Sequence, residues 1–387
     1  MTSKFRYSLG AAAIAAAVSF VAPSMVQAQD PPADLTTMPP VPHTYKAPKT
    51  PWGDPDLRGM WPIDNIASLP FQRPDNFGNR FWLTDEEFAA RLKQANGSAE
   101  RYAAEDKAGK IGMGHWVESD ASGRRTSLLI DPPNGKLPEM TPEAKKLYAA
   151  GRSSWVRGQT YDSAVDFDTW DRCVTRGFPA SMLPFRYNNG IRVYQAPGYV
   201  VIDLEMIHDS RVIPVVPKAK FEELKKTRWP ASVRTWMGQS LGYWEPDGTL
   251  VIETQNIVAG DSATRDVFKR AASPLNMATF GVPPNNTIPT SEKAKVVERL
   301  TMTGPDSIIY EMTYSDPDVF TAPFTARLDW KRNSKYEFFE YACFEGDVQV
   351  RNYINSSRAQ RKKDAEEAAA KAAAPAKPAA ATKPAGG

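Results

Sequence analysis

Three histidines and two cysteines are all that 387 residues provide for soft-metal ligation or thiol chemistry. A structural zinc site takes four Cys or His ligands, so with the two cysteines read as partners of each other no zinc centre is expected. The chain also lacks a phosphate-cradling glycine loop, a dinucleotide fingerprint and a nucleophile elbow. Glu205-x-x-His208 has the spacing of di-iron helices, but that chemistry needs two such motifs on helices and only one is here. The expectation is therefore no metal and no cofactor.

An overall basic face is missing too. The formal net charge is only +3, and the excess sits at the ends: Lys4 and Arg6 near the start, and Arg358, Arg361, Lys362, Lys363, Lys371, Lys377 and Lys383 near the finish. A near-neutral body argues against a nucleic-acid groove, which needs clustered cations. Beyond the first 28 residues no apolar run is long enough to span a bilayer. Residues 1–28 themselves read as a signal peptide: a basic start, an Ala-rich apolar stretch from Leu9 to Val21, and a small-residue cleavage site ending at Ala28. The expected location is the periplasm. In an oxidising compartment Cys173 and Cys343 most simply pair, closing a loop of about 170 residues worth roughly 5 kcal/mol. The other role for Cys173 is a nucleophilic thiolate with His208 as its base.

Four zones follow the signal. Residues 29–80 are a Pro-rich arm with Trp52, Trp61, Phe71 and Phe77 to pin it to the body. Residues 81–189 read as a helical region, with a capping box at Thr84-Asp85-Glu86-Glu87 and a Thr141-Pro142 helix start. Residues 190–357 alternate in the strand period, broken by Pro197-Gly198, Pro246-Asp247-Gly248, Gly304-Pro305-Asp306 and Asn333-Ser334. Consecutive hairpins of this number favour an antiparallel barrel, because closure removes exposed edges. Gly242-Tyr243-Trp244 before a hairpin is reminiscent of lipocalin-type barrels, and a two-sheet sandwich is the other arrangement. Residues 358–387 are Ala/Lys/Pro low complexity, unable to bury enough apolar area to order on their own.

The residues with chemistry cluster around the strand that starts at Tyr199. Alternation puts Val200, Ile202, Leu204, Met206 and His208 on one face, so Glu205 and His208 meet only where a bulge or the strand end intervenes. His208 at a barrel mouth suits general acid/base work, with Glu205 or Asp209 orienting it; the structural alternative is a His bonded to a backbone group. Arg172, Arg176 and Asn188 could hold a carboxylate or a developing oxyanion, or the two arginines could pair with Asp166, Asp168 and Asp171. His115, beside Glu118 in a glycine-bounded loop, is a further substrate-binding candidate.

Several motifs together resemble a family of exported bacterial proteins: Asp171-Arg172-Cys173-Val174-Thr175-Arg176-Gly177, Gly198-Tyr199-Val200-Val201-Ile202 with Glu205 and His208-Asp209, Gly242-Tyr243-Trp244 with Gly248-Thr249-Leu250-Val251-Ile252-Glu253-Thr254, and Tyr341-Ala342-Cys343-Phe344-Glu345-Gly346. The resemblance spans most of the chain and implies no particular activity. Two functions fit the residues. One is a cofactor-independent lyase, isomerase or hydrolase acting on a small, largely apolar compound. The other is a periplasmic binding protein for a hydrophobic ligand.

Overall fold

Ten strands and four α-helices make up the regular structure of the computed structural model, which describes residues 31–109, 123–154, 158–227, 230, 232–276, 285–343 and 348–373. In chain order these are β1 (Gly59–Met60), α1 (Asp85–Lys107), β2 (Leu129–Asp131), α2 (Pro142–Ala150), β3 (Ile191–Ala196), β4 (Tyr199–Leu204), β5 (Ser210–Pro214), α3 (Lys218–Thr227), β6 (Gln239–Trp244), β7 (Leu250–Gln255), β8 (Lys295–Gly304), β9 (Ser307–Ser315), β10 (Phe324–Lys331) and α4 (Val348–Ala373). The proposed signal peptide lies outside the described residues. Among those described, no helix is long and apolar enough to cross a membrane.

The strands form two antiparallel sheets, β1-β3-β4-β5 and β2-β10-β9-β8-β7-β6. Alternation explains their facing sides. Val200, Ile202 and Leu204 of β4 are buried, opposite Gln195, Val193 and Ile191 of β3. They share one apolar core with Leu250, Ile252, Val296, Leu300, Tyr310, Met312 and Leu328 of the larger sheet. The closed, lipocalin-like barrel expected from the hairpin pattern does not form. β5 and β6 are joined through α3, so β6 arrives parallel to β5, and a single bridge, Val215 with Gly242, links them. A parallel neighbour needs such a crossover, and the tight-turn reading missed this one. The opposite gap is spanned by one backbone bond, Asn333 N–H to Met60 O at 3.1 Å.

A second departure concerns residues 336–344, which alternate like a strand and follow the Asn333-Ser334 turn. β9 occupies one edge of β10, β2 meets the other only at Thr325 and Ala326, and residues 336–343 form no strand. Residues 336–343 instead run over the surface, none of them buried. The Pro-rich arm, by contrast, goes deep. Leu57, Trp61, Ile63, Ile66 and Phe71 belong to the core, and Trp61 N–H donates to Ile191 O at 2.7 Å.

Between the sheets lies a fully buried ion pair. Arg211 on β5 donates to both carboxylate oxygens of Glu298 on β8, at 2.8 and 2.5 Å. Tyr310 Oη donates to the same carboxylate at 2.9 Å, and Arg211 also reaches Ser240 Oγ and Thr254 Oγ1. Phe178 lies 4.3 Å under the guanidinium, and Trp330 stacks on Tyr310. The middle of the fold is thus packed with side chains.

The capping box at Thr84 is present, with Glu87 N–H donating to Thr84 Oγ1 and Thr84 N–H to Glu87 Oε2. α4 has no buried residue. It is fastened near Ser357, whose Oγ accepts from Tyr161 N–H at 3.0 Å, and by Arg358 and Arg361, which both pair with Asp162.

Candidate functional site

β4 stops at Leu204, and the chain turns sharply through Glu205–Asp209. Ile207 and His208 both take left-handed backbone conformations, with φ of 59° and 56°. Such angles are rare for non-glycine residues and most of all for a β-branched one; each costs about 1–3 kcal/mol. Their effect is to break the strand alternation. Met206 and Ile207 turn inward, Glu205 is wholly buried, and His208 comes to the surface. The expected placing of His208 at the end of the inward face is therefore corrected: the turn carries it out.

Glu205 is the best-bonded of the candidates. Its Oε2 accepts from Gly190 N–H at 2.9 Å and from Tyr336 Oη at 2.6 Å, and its Oε1 from Phe339 N–H at 2.8 Å. Three donors satisfy the buried carboxyl group. Residue 190 must be glycine, because a Cβ there would stand 2.6 Å from Glu205 Oε2. His208 Nε2 accepts from Tyr341 N–H at 3.2 Å, which requires an unprotonated Nε2. Asp209 is half-buried and accepts from Thr175 Oγ1 at 2.7 Å. Burial raises its pKa, opposed by hydrogen bonds from Thr175 and Ser181 and by the charge of Arg176.

The arginines are placed differently from one another. Arg176 is buried; it donates to Leu183 O at 2.9 Å and lies over the Phe185 ring. Burial lowers its pKa to about 10. Arg172 is half-buried beside Asp168 and Asp171, which counter the lowering of its pKa by burial. Asn188 is a turn residue with φ of 54°, and its neighbour Asn189 makes the bonds, bracketing Phe185 through both backbone groups. His115 lies outside the described residues. Glu205, His208 and Asp209 belong to the one turn, and Arg176 and His208 carry charge near Asp209, while Arg172 lies beside Asp168 and Asp171.

Beneath the turn is a small aromatic cluster of Trp170, Phe185, Met206 and Ile207, with Tyr187 and Tyr341 packed against it. The two tyrosine hydroxyls bond to each other, and burial pushes both phenol pKa values up. Cys173 and Cys343 are disulfide-bonded at a Cα separation of 5.7 Å. They tie the segment before β3 to the one after β10.

Sequence reasoning missed a second buried network. Asp168 Oδ2 accepts from Ser153 Oγ at 2.7 Å and Asn286 Nδ2 at 3.0 Å, and Arg270 stands 3.8 Å from Oδ1. Burial raises the Asp168 pKa to about 6, against the pull of Ser153 and Arg270. Its partners lie 15 and 118 residues away, so no local motif announces it. Among the described residues no group of three or more His, Cys, Asp or Glu could hold a metal ion. No family model, no curated protein and no solved structure matches the chain.

Proposed function

We propose that the chain is an exported, cofactor-independent acid/base enzyme, a lyase or isomerase in type, acting on a small and largely apolar organic compound. His208 is the acid/base, with Glu205 and Asp209 beside it. One observation carries the reading. Glu205 Oε1 and His208 Nε2 accept from the N–H groups of Phe339 and Tyr341, which are two residues apart. Those donors are therefore at most ~7 Å from one another, a separation that a small substrate could bridge. Glu205 and His208 both sit in the turn that ends β4, beyond the reach of plain alternation. Trp170, Phe185 and Met206 supply an apolar wall, which suits a compound of low polarity. Export is supported by the composition of the first 28 residues and by the disulfide. The hydrophobic-carrier reading draws no support from the middle of the fold, where Arg211, Glu298, Tyr310 and Trp330 fill the space.

Metabolite profiling of a deletion strain should show one accumulating compound, and the purified protein should turn it over. The His208 side chain is exposed and makes one described hydrogen bond, so His208→Gln should melt within a few degrees of the parent. Its turnover should fall about 10²-fold or more, the usual scale for a positioned acid/base. Unchanged turnover in this variant would refute the assignment.

A further inference from the structure

We propose that residues 333–343 form an autoinhibitory strap, a lid whose closed position occupies the two bases of the turn. The inference rests on the acid/base reading of that turn and concerns its regulation. Not one residue of the strap is buried, and Phe339 is 59 % exposed. Yet the strap roofs Glu205, which is fully buried. Its described backbone bonds are few: Asn333 to Met60, and the local turns Tyr336 to Asn333 and Cys343 to Tyr341. Its other described ties run to side chains of the body, the Tyr341–Tyr187 hydroxyl bond among them. Tyr336 Oη and Phe339 N–H go to Glu205, Tyr341 N–H goes to His208, and Phe338 lies under Arg192.

The donors matter more than their number. A base must offer a free lone pair to take a proton. In the closed form, Phe339 N–H and Tyr336 Oη donate to Glu205, and Tyr341 N–H takes the Nε2 lone pair of His208. They stand where a substrate's acidic hydrogens would stand. The strap is anchored at one end by β10 and at the other by the Cys173–Cys343 bond, so it can lift between fixed ends without leaving. Lifting it uncovers Glu205, Met206, Ile207 and the Trp170–Phe185 wall together. No ladder of strand hydrogen bonds has to break.

Carboxyl labelling tests this without any knowledge of the substrate. Native protein would be treated with a water-soluble carbodiimide and glycine ethyl ester, and labelled sites mapped by mass spectrometry. In the parent, Glu205 should label at least tenfold more slowly than exposed Glu337. Tyr336→Phe removes one strap donor, and phosphine reduction of the disulfide frees one strap end. Either treatment should raise Glu205 labelling several-fold. Amide exchange should quicken across 333–343 and 205–209 while β8 and β9 stay protected. Unchanged Glu205 labelling after both treatments would overturn the lid, as would exchange that quickens equally throughout β6–β9. A dead enzyme with a labelling response would sink the reaction and leave the lid standing; turnover with no labelling response would do the reverse.

Discussion

Asp168 is the residue whose titration should be visible in the stability of the fold. Its carboxyl is buried, and burial raises its pKa from the ordinary carboxylate range to about 6. A carboxyl whose folded pKa is raised favours the protonated native state. Its contribution is therefore fully present below about pH 4 and is lost as pH rises through about 6. A shift of this size corresponds to roughly 2–3 kcal/mol. Asp168→Asn cannot titrate, so the parent should lose that much stability relative to the variant between pH 4 and pH 7. Denaturant unfolding of both proteins across that range checks it; parallel pH profiles would show that Asp168 titrates alike in the folded and unfolded chain. Glu205 is a second buried carboxyl, held by other elements. It is just as buried, but Gly190, Tyr336 and Phe339 supply its donors.

At the scale of elements, the Cys173–Cys343 bond staples the strap to the segment before β3. Its sequence separation is 170 residues, so the loop-entropy model assigns it roughly 5 kcal/mol. Replacing both cysteines by serine should lower the unfolding free energy by an amount up to that size, read from denaturant melts. A change near zero would mean the strap contributes nothing to the fold as a whole. How far the elements could be read from sequence follows from the range of the forces involved. The capping box at Thr84, the alternation of β4 and the three hairpins β3–β4, β6–β7 and β8–β9 depend on neighbours within a few residues, and all were legible. The disulfide was legible because two cysteines leave one intramolecular pairing. The strap was misread as a strand because Tyr336, Glu337, Phe338 and Glu340 alternate well enough. Its fate is tied to Glu205 and His208, more than 100 residues earlier in the chain, which no local pattern announces. The His208 placing failed for a different reason: two left-handed residues, Ile207 and His208, reversed the phase of the alternation. Neither is a glycine that would have flagged the turn.

For the whole molecule, the Arg211–Glu298 pair joins the smaller sheet to the larger. Removing one partner alone strands a buried charge, so Glu298→Gln should cost about 3–5 kcal/mol. Replacing both with apolar residues of similar volume should cost far less, because the desolvation of both ions is then avoided. Thermal or denaturant melts of the two single variants and the double variant would measure the coupling, and additive losses would refute it. The disulfide has a further consequence, for the order in which the chain is made. Cys173 is synthesised 170 residues before Cys343, and the interval contains β3 to β10. No earlier thiol is available within the chain. A nascent chain therefore cannot lock itself into a wrong internal crosslink, and only a nearly completed one can lock at all. Oxidation thus acts as a completion mark, set after every strand of both sheets has been delivered.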